Sequence, residues 1–136
     1  HSMGLLTMEN KTSVKRIMIV EDEPSICEVC IKALAHRGYK IDIAANGSFG
    51  EKKLNESDYD LVLIDIRTPV MNGKELYSSI LKYHPYLKDK VIFTTGGIFG
   101  GDIQLFLKNS GRPFLPKPFT PNELRGIVEQ YFSEQV

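Results

Sequence analysis

The 136-residue chain has no tryptophan, only two cysteines, and no surplus of charge of either sign. Lys and Arg number 17, as do Asp and Glu, so the formal net charge is zero. That balance argues against a general affinity for nucleic acid or an anionic membrane. Neither is expected as a direct partner of this fragment. No apolar stretch approaches the roughly 20 residues of a membrane-spanning helix. No second cysteine pair accompanies Cys27 and Cys30, so this CxxC lacks the ligand set of a structural zinc site. Ile26, Cys30 and Leu34 recur at helical spacing, which puts Cys30 on a buried stripe and Cys27 nearer its edge. Two free thiols suit a reducing cytoplasm. No GxxxxGK[ST] is present, so Gly96-Gly97 and Gly100-Gly101 do not form a P-loop. His1-Ser2-Met3 reads as a cloning scar with no signal peptide after it. Residues 1–14 are expected to be that scar plus a flexible arm or linker, and residues 15–134 one domain.

What is present is a regular alternation. The hydrophobic fraction is 42%, ordinary for a globular chain once Gly is added. "RIMIV" (16–20), "IDIAA" (41–45), "LVLI" (61–64), "VIFT" (91–94) and "PFL" (113–115) read as strands. Helical spacing fills 24–37, 47–56, 73–84, 101–109 and 120–133 between and after them. Such alternation predicts a parallel sheet covered by helices on both faces. Pro24 suits the first turn of helix one and Gly38 its end. Asn72 can cap helix three, and Thr120-Pro121-Asn122-Glu123 is a capping box opening helix five. Pro113 and Pro116 bracket the last strand and assign it to a sheet edge. Helix two carries Gly50 and Lys53 where apolar or helix-favouring residues are expected. His36 and His84 have no partner pattern and read as surface or helix-end residues.

In an open parallel sheet, function collects at the carboxyl ends of the strands. Here strand one ends in Glu21-Asp22-Glu23, strand three in Asp65, strand four in Thr95-Gly96-Gly97 and strand five in Lys117-Pro118. Carboxylates gathered there repel one another unless a cation joins them. Mg²⁺ takes oxygen ligands and keeps several waters. Lys117 and the Thr95 hydroxyl would complete a pocket for an anion such as phosphate. The set suits formation of an acyl phosphate on a carboxylate. Thr94 competes with Thr95, because strand alternation turns only one of them to a given face. The small Gly96 that follows favours Thr95.

"IVEDEP", "LVLIDIRTPVMNG", "TTGG" and "LPKPF" occur in this order on a βα frame. On these motifs residues 15–134 resemble a response-regulator receiver domain, the phospho-acceptor module of two-component signalling. The stretch from Thr94 to Phe119 is similar to receivers at the end of hybrid sensor histidine kinases; a single-domain regulator is the other context. The resemblance implies a doubly wound (βα)5 flavodoxin-like sandwich with strand order 2-1-3-4-5. It implies Asp65 as phosphoryl acceptor and Mg²⁺ as cofactor. Glu21, Asp22, Asp65 and the Arg67 backbone carbonyl would form the metal site, Glu21 acting mostly through water. Thr95 and Lys117 would contact the phosphoryl group, and Phe114 takes the place of the switch aromatic. The Lys117–Pro118 bond is expected to be cis. A histidine kinase or histidine phosphotransfer domain is the implied partner. A homodimer through the face of helix four, strand five and helix five is a further expectation. The implied role is regulatory, with at most catalysis of its own phosphorylation and dephosphorylation.

Two positions depart from the pattern. Thr68 replaces a methionine, and Glu51 stands where an apolar residue is usual, so helix two is expected to be short or displaced. Two other functions compete. A haloacid-dehalogenase-like phosphohydrolase needs a second aspartate two residues after the first, where this chain has Arg67. A flavodoxin-like flavin binder needs a phosphate loop after strand one, where Glu21-Asp22-Glu23 would repel phosphate.

Overall fold

A computed structural model describes residues 13–97 and 100–135. Residues 1–12, which cover most of the expected scar and arm, lie outside the described residues, as do Ile98, Phe99 and Val136. The chain runs through β1 (Arg16–Val20), α1 (Pro24–Ala35), β2 (Lys40–Ala44), α2 (Gly47–Glu56), β3 (Leu61–Asp65) and α3 (Gly73–Tyr83). A one-turn 3₁₀ helix (Pro85–Leu87) leads to β4 (Val91–Gly96), α4 (Gly101–Ser110), β5 (Phe114–Lys117) and α5 (Pro121–Glu134). All strand pairs are parallel, in the order β2-β1-β3-β4-β5. This is the doubly wound flavodoxin-like sheet that the resemblance implied.

The period of two in each strand supplies two cores. Met18, Val20, Val62, Ile64, Val91 and Phe93 face a cluster shared with Leu54, Leu76 and Ile80, against which Ile103 and Phe106 also pack. This is the α2, α3 and α4 side. Ile17, Ile19, Leu61, Leu63, Ile92 and Leu115 face Leu34, Leu124 and Val128 on the α1 and α5 side. β3 is buried along its whole length, as a central strand covered on both faces must be.

The helix ends follow from their caps. Asn72 and Glu75 form a capping box at α3, and Thr120 and Glu123 form one at α5. α1 stops at Ala35, two residues short of expectation, and the chain turns through Gly38 at φ +86°. β5 includes Pro116 instead of ending before it. As an edge strand it needs no donor there.

Helix two is neither short nor displaced. It spans ten residues, and both Gly50 and Glu51 have partners in neighbouring elements. Gly50 is buried, and a Cβ there would stand 3.2 Å from Val20 Cγ2 and 3.3 Å from Leu76 Cδ2. The glycine lets α2 lie close to the sheet. The Glu51 carboxylate accepts the Ser79 hydroxyl of α3. Among the described residues, no helix is long and apolar enough to cross a membrane.

Candidate functional site

Alternation turns Glu21, Asp65 and Lys117 toward the same side of the sheet as Ile19, Leu63 and Leu115. Lys117 Nζ lies 2.6 Å from Glu21 Oε1 and 3.0 Å from Asp65 Oδ2. Glu23 reaches the same ammonium at 3.7 Å. Glu21 and Asp65 are only 3% and 4% exposed, so two carboxylates are held in a largely dry site by one cation. Their other oxygens are also engaged. Glu21 Oε2 accepts the Glu23 N–H at 3.1 Å, and Asp65 Oδ1 accepts the Arg67 N–H at 3.0 Å. Burial alone would lower the Lys117 pKa, but its bonds to Glu21 and Asp65 outweigh that and hold it above the ordinary lysine value. Burial is likewise the largest influence on Glu21. There it prevails over the Lys117 bond, and the carboxyl sits above its usual range.

Carboxylate oxygens of Glu21, Asp22 and Asp65 lie within 4.8 Å of one another. An all-oxygen set of this charge fits a hard divalent cation. Asp22, Glu23, Asp65, Arg67, Gly96, Gly97 and Lys117 line a cleft of about 400 Å³ above it. Arg67 Nη1 stands 3.9 Å from where a Cβ of Gly97 would be, so the guanidinium reaches across the mouth. The Lys117–Pro118 bond is cis.

Thr95 is placed differently from expectation. Alternation puts Thr94, paired in register with Asp65, on the side of the acidic site. Thr95 shares the side of Phe93 and Phe114 and does not line the cleft. The Thr95 residue is 1% exposed, and its hydroxyl has no hydrogen-bond partner. A buried hydroxyl without a partner is costly, and it stands one residue from Gly96 on the cleft wall. Phe114 is half-buried against the same cluster as Phe93.

Residues 17–129 match the family described as response regulator receiver domain. The chain belongs to this family. Among solved structures, a CheY-like receiver domain protein from Methanospirillum hungatei is 32% identical with a TM-score of 0.81, covering 90% of this chain and 97% of that one. TrrA of Thermotoga maritima, solved in complex with Mg²⁺-BeF, is 33% identical with a TM-score of 0.72, covering 87% and 99%. Hybrid signal transduction histidine kinase G of Dictyostelium discoideum is 31% identical over 123 residues, which are 88% of this chain and 4% of that protein. Transcription factor SKN7 of Saccharomyces cerevisiae is 28% identical over 120 residues, 88% of this chain and 19% of that protein. The chain thus spans less than a fifth of the length of these two curated relatives.

Several features of this receiver's site are not legible in its motifs. The Cys27 thiol donates to the Glu21 carbonyl at 3.5 Å, tying α1 to the acidic turn. Gly73 must be glycine because a Cβ there would stand 2.7 Å from Ile66 Cα and 2.8 Å from the Asp65 carbonyl. Thr68, the departure from the family pattern, is buried, and its hydroxyl donates to the Met71 carbonyl at 2.9 Å. Val70 has φ +68°, and the Met71 N–H bonds the Pro69 carbonyl at 2.8 Å around it. That is a γ-turn of the rare, strained kind, with a β-branched residue at its centre.

Proposed function

We propose that this receiver takes a phosphoryl group onto Asp65, with Mg²⁺ as cofactor, from a histidine kinase or a histidine phosphotransfer domain. The observation that carries the reading is the Lys117 ammonium bridging Glu21 and Asp65 beside a three-carboxylate cluster. When bound, Mg²⁺ neutralises charge on the phosphoryl oxygens and on the carboxylates. Asp22, Asp65 and the Arg67 carbonyl would hold it. Glu21 would act mostly through water, the role its position resembles in the family.

An Asp65 carboxylate oxygen forms the new O–P bond while the P–N bond to the donor imidazole breaks, its electron pair leaving on the ring nitrogen. Lys117 keeps its charge through this step, because its two buried carboxylate partners favour the ammonium. In dephosphorylation a water oxygen bonds phosphorus as the Asp65 O–P bond breaks; Asp65 leaves as a carboxylate, and the water's proton passes to the released phosphate or to solvent. Glu21-Asp22-Glu23 at the mouth and Arg67 after the acceptor suit neither the flavin reading nor the phosphohydrolase reading.

The output rests on Thr95 and Phe114. The unpaired Thr95 hydroxyl gains an acceptor when a phosphoryl group arrives nearby, and its movement changes the space beside Phe114. α4 buries none of its residues fully, so the α4–β5–α5 face can reshape at small cost and present itself to a partner or a second copy. The similarity to part of a hybrid histidine kinase supports a receiver of that setting, and a single-domain regulator is the other.

The test is labelling with radioactive acetyl phosphate and with a phosphorylated histidine domain. Label is expected in Mg²⁺ and lost both in EDTA and in Asp65→Asn. Label that survives either change overturns the assignment.

A further inference from the structure

The two edges of the sheet are built differently. β5 contains Pro116 and is followed by Pro118, and neither has a backbone N–H to offer a neighbouring strand. β2 contains no proline. Its register decides which groups point away from the sheet. The Lys40 N–H bonds the Lys15 carbonyl, and the Ala44 carbonyl accepts the Glu21 N–H. Bonds alternate residue by residue in such a ladder, so Lys40, Asp42 and Ala44 bond β1. The N–H and C=O groups of Ile41 and Ile43 therefore point outward. Their side chains are half-buried, whereas Ile17 and Ile19, their register partners on β1, are 0% and 2% exposed.

We propose that β2 is an association edge for a second copy of this chain, the two strands pairing antiparallel about a twofold axis. The outward groups sit on odd-numbered residues, which leaves few registers. An axis through Asp42 would set Asp42 against itself, and like charges directly opposite are destabilising. An axis through Ile43 leaves Asp42 facing Ala44. An axis through Ile41 sets Lys40 opposite Asp42 of the second copy, twice per dimer, and Tyr39 opposite Ile43. This register satisfies both charge and outward hydrogen bonding. The two charges are ready for it. Lys40 is exposed, and Asp42 is fixed by the Tyr59 hydroxyl at 2.7 Å and Arg16 at 3.0 Å. Twofold pairing is closed, so it stops at a dimer and leaves only the proline-blunted β5 edges outside. The edge lies at the opposite end of the sheet from β5, and the proposal does not depend on phosphorylation.

Sedimentation equilibrium of the full chain tests this, with circular dichroism confirming that each variant is folded. The parent is expected to show a reversible monomer–dimer equilibrium. Lys40→Glu turns two attractive cross-strand pairs into repulsive ones and should raise the dissociation constant about tenfold. Ile41→Pro removes an outward donor without touching the β1 ladder and should also shift the equilibrium to monomer. Leu105→Glu, on the exposed side of α4, should leave it unchanged. A parent that stays monomeric overturns the proposal. So does a dimer indifferent to Lys40→Glu, or one lost in Leu105→Glu.

Discussion

Lys117→Met removes an ammonium and keeps most of the side-chain length, which isolates charge from packing. The Lys117 side chain is 9% exposed and its two close partners, Glu21 and Asp65, are 3% and 5%. The substitution therefore leaves two buried carboxylates facing each other with no cation between them. Breaking a buried pair in this way costs about 3–5 kcal/mol. The cost depends on pH in a definite sense. Glu21 already sits above the usual carboxylate range in the folded state, burial being the main cause and Lys117 opposing it. Without Lys117 it rises further. A carboxyl raised on folding binds its proton more tightly in the native state, so the loss of stability grows as pH rises from the ordinary carboxylate range through the raised value, and shrinks below it. Urea unfolding in EDTA, at mildly acidic and mildly alkaline pH, measures both the size and the trend. Mg²⁺ should restore more stability to the variant than it adds to the parent, because it replaces the missing charge. A loss under about 1 kcal/mol in EDTA, against the 3–5 expected, would refute the reasoning. So would a loss that does not change with pH.

Val70→Gly should stabilise the receiver by about 1 kcal/mol in thermal or urea unfolding, since a strained positive-φ backbone costs a residue with a Cβ roughly 1–3 kcal/mol, glycine adopts it freely and Val70 is 82% exposed; a destabilised variant would show that the turn is not strained. Burial raises Asp42, but the Tyr59 hydroxyl and Arg16 overcome it and leave the carboxyl below its ordinary range. Asp42 thus adds stability above the unfolded carboxylate pKa that is lost as pH falls through the depressed value. Asp42→Asn should lower the melting temperature near neutral pH and converge with the parent in acid, and a constant difference would contradict this. Arg67→Ala should open the cleft mouth that the guanidinium now spans and speed dephosphorylation severalfold with Mg²⁺ affinity nearly unchanged. Equal decay rates in variant and parent would remove Arg67 from that role. Beryllofluoride should move NMR shifts of Thr95, Phe114 and α4 as well as Asp65; changes confined to Asp65 would rule out the proposed switch.

The sequence by itself determined the alternating frame, its caps and the strand ends. Those features are local: periodicity sets which face of an element is apolar, and Asn72–Glu75 and Thr120–Glu123 satisfy backbone donors within a single turn. Family motifs then placed Glu21, Asp22, Asp65 and Lys117 at one end of the sheet. Only the tertiary structure decided what those residues do to one another. Lys117 is 52 positions from Asp65 in the chain, and nothing between them encodes a 3.0 Å bond. Helix two looked weak from its own residues, because the space that Gly50 leaves is filled by Val20 and Leu76 from other elements. Strand alternation was known, but which face holds the acidic site was not. It put Thr94 on that face and left Thr95 buried with an unpaired hydroxyl beside the aromatic side. The strain at Val70 was invisible for the same reason. It is imposed by bonds that fix the loop at both ends, including Gly47 N–H to the Met71 carbonyl at 3.0 Å, and no preference of valine would predict it. Contacts between elements are set by register and packing, which no local stretch of sequence carries alone.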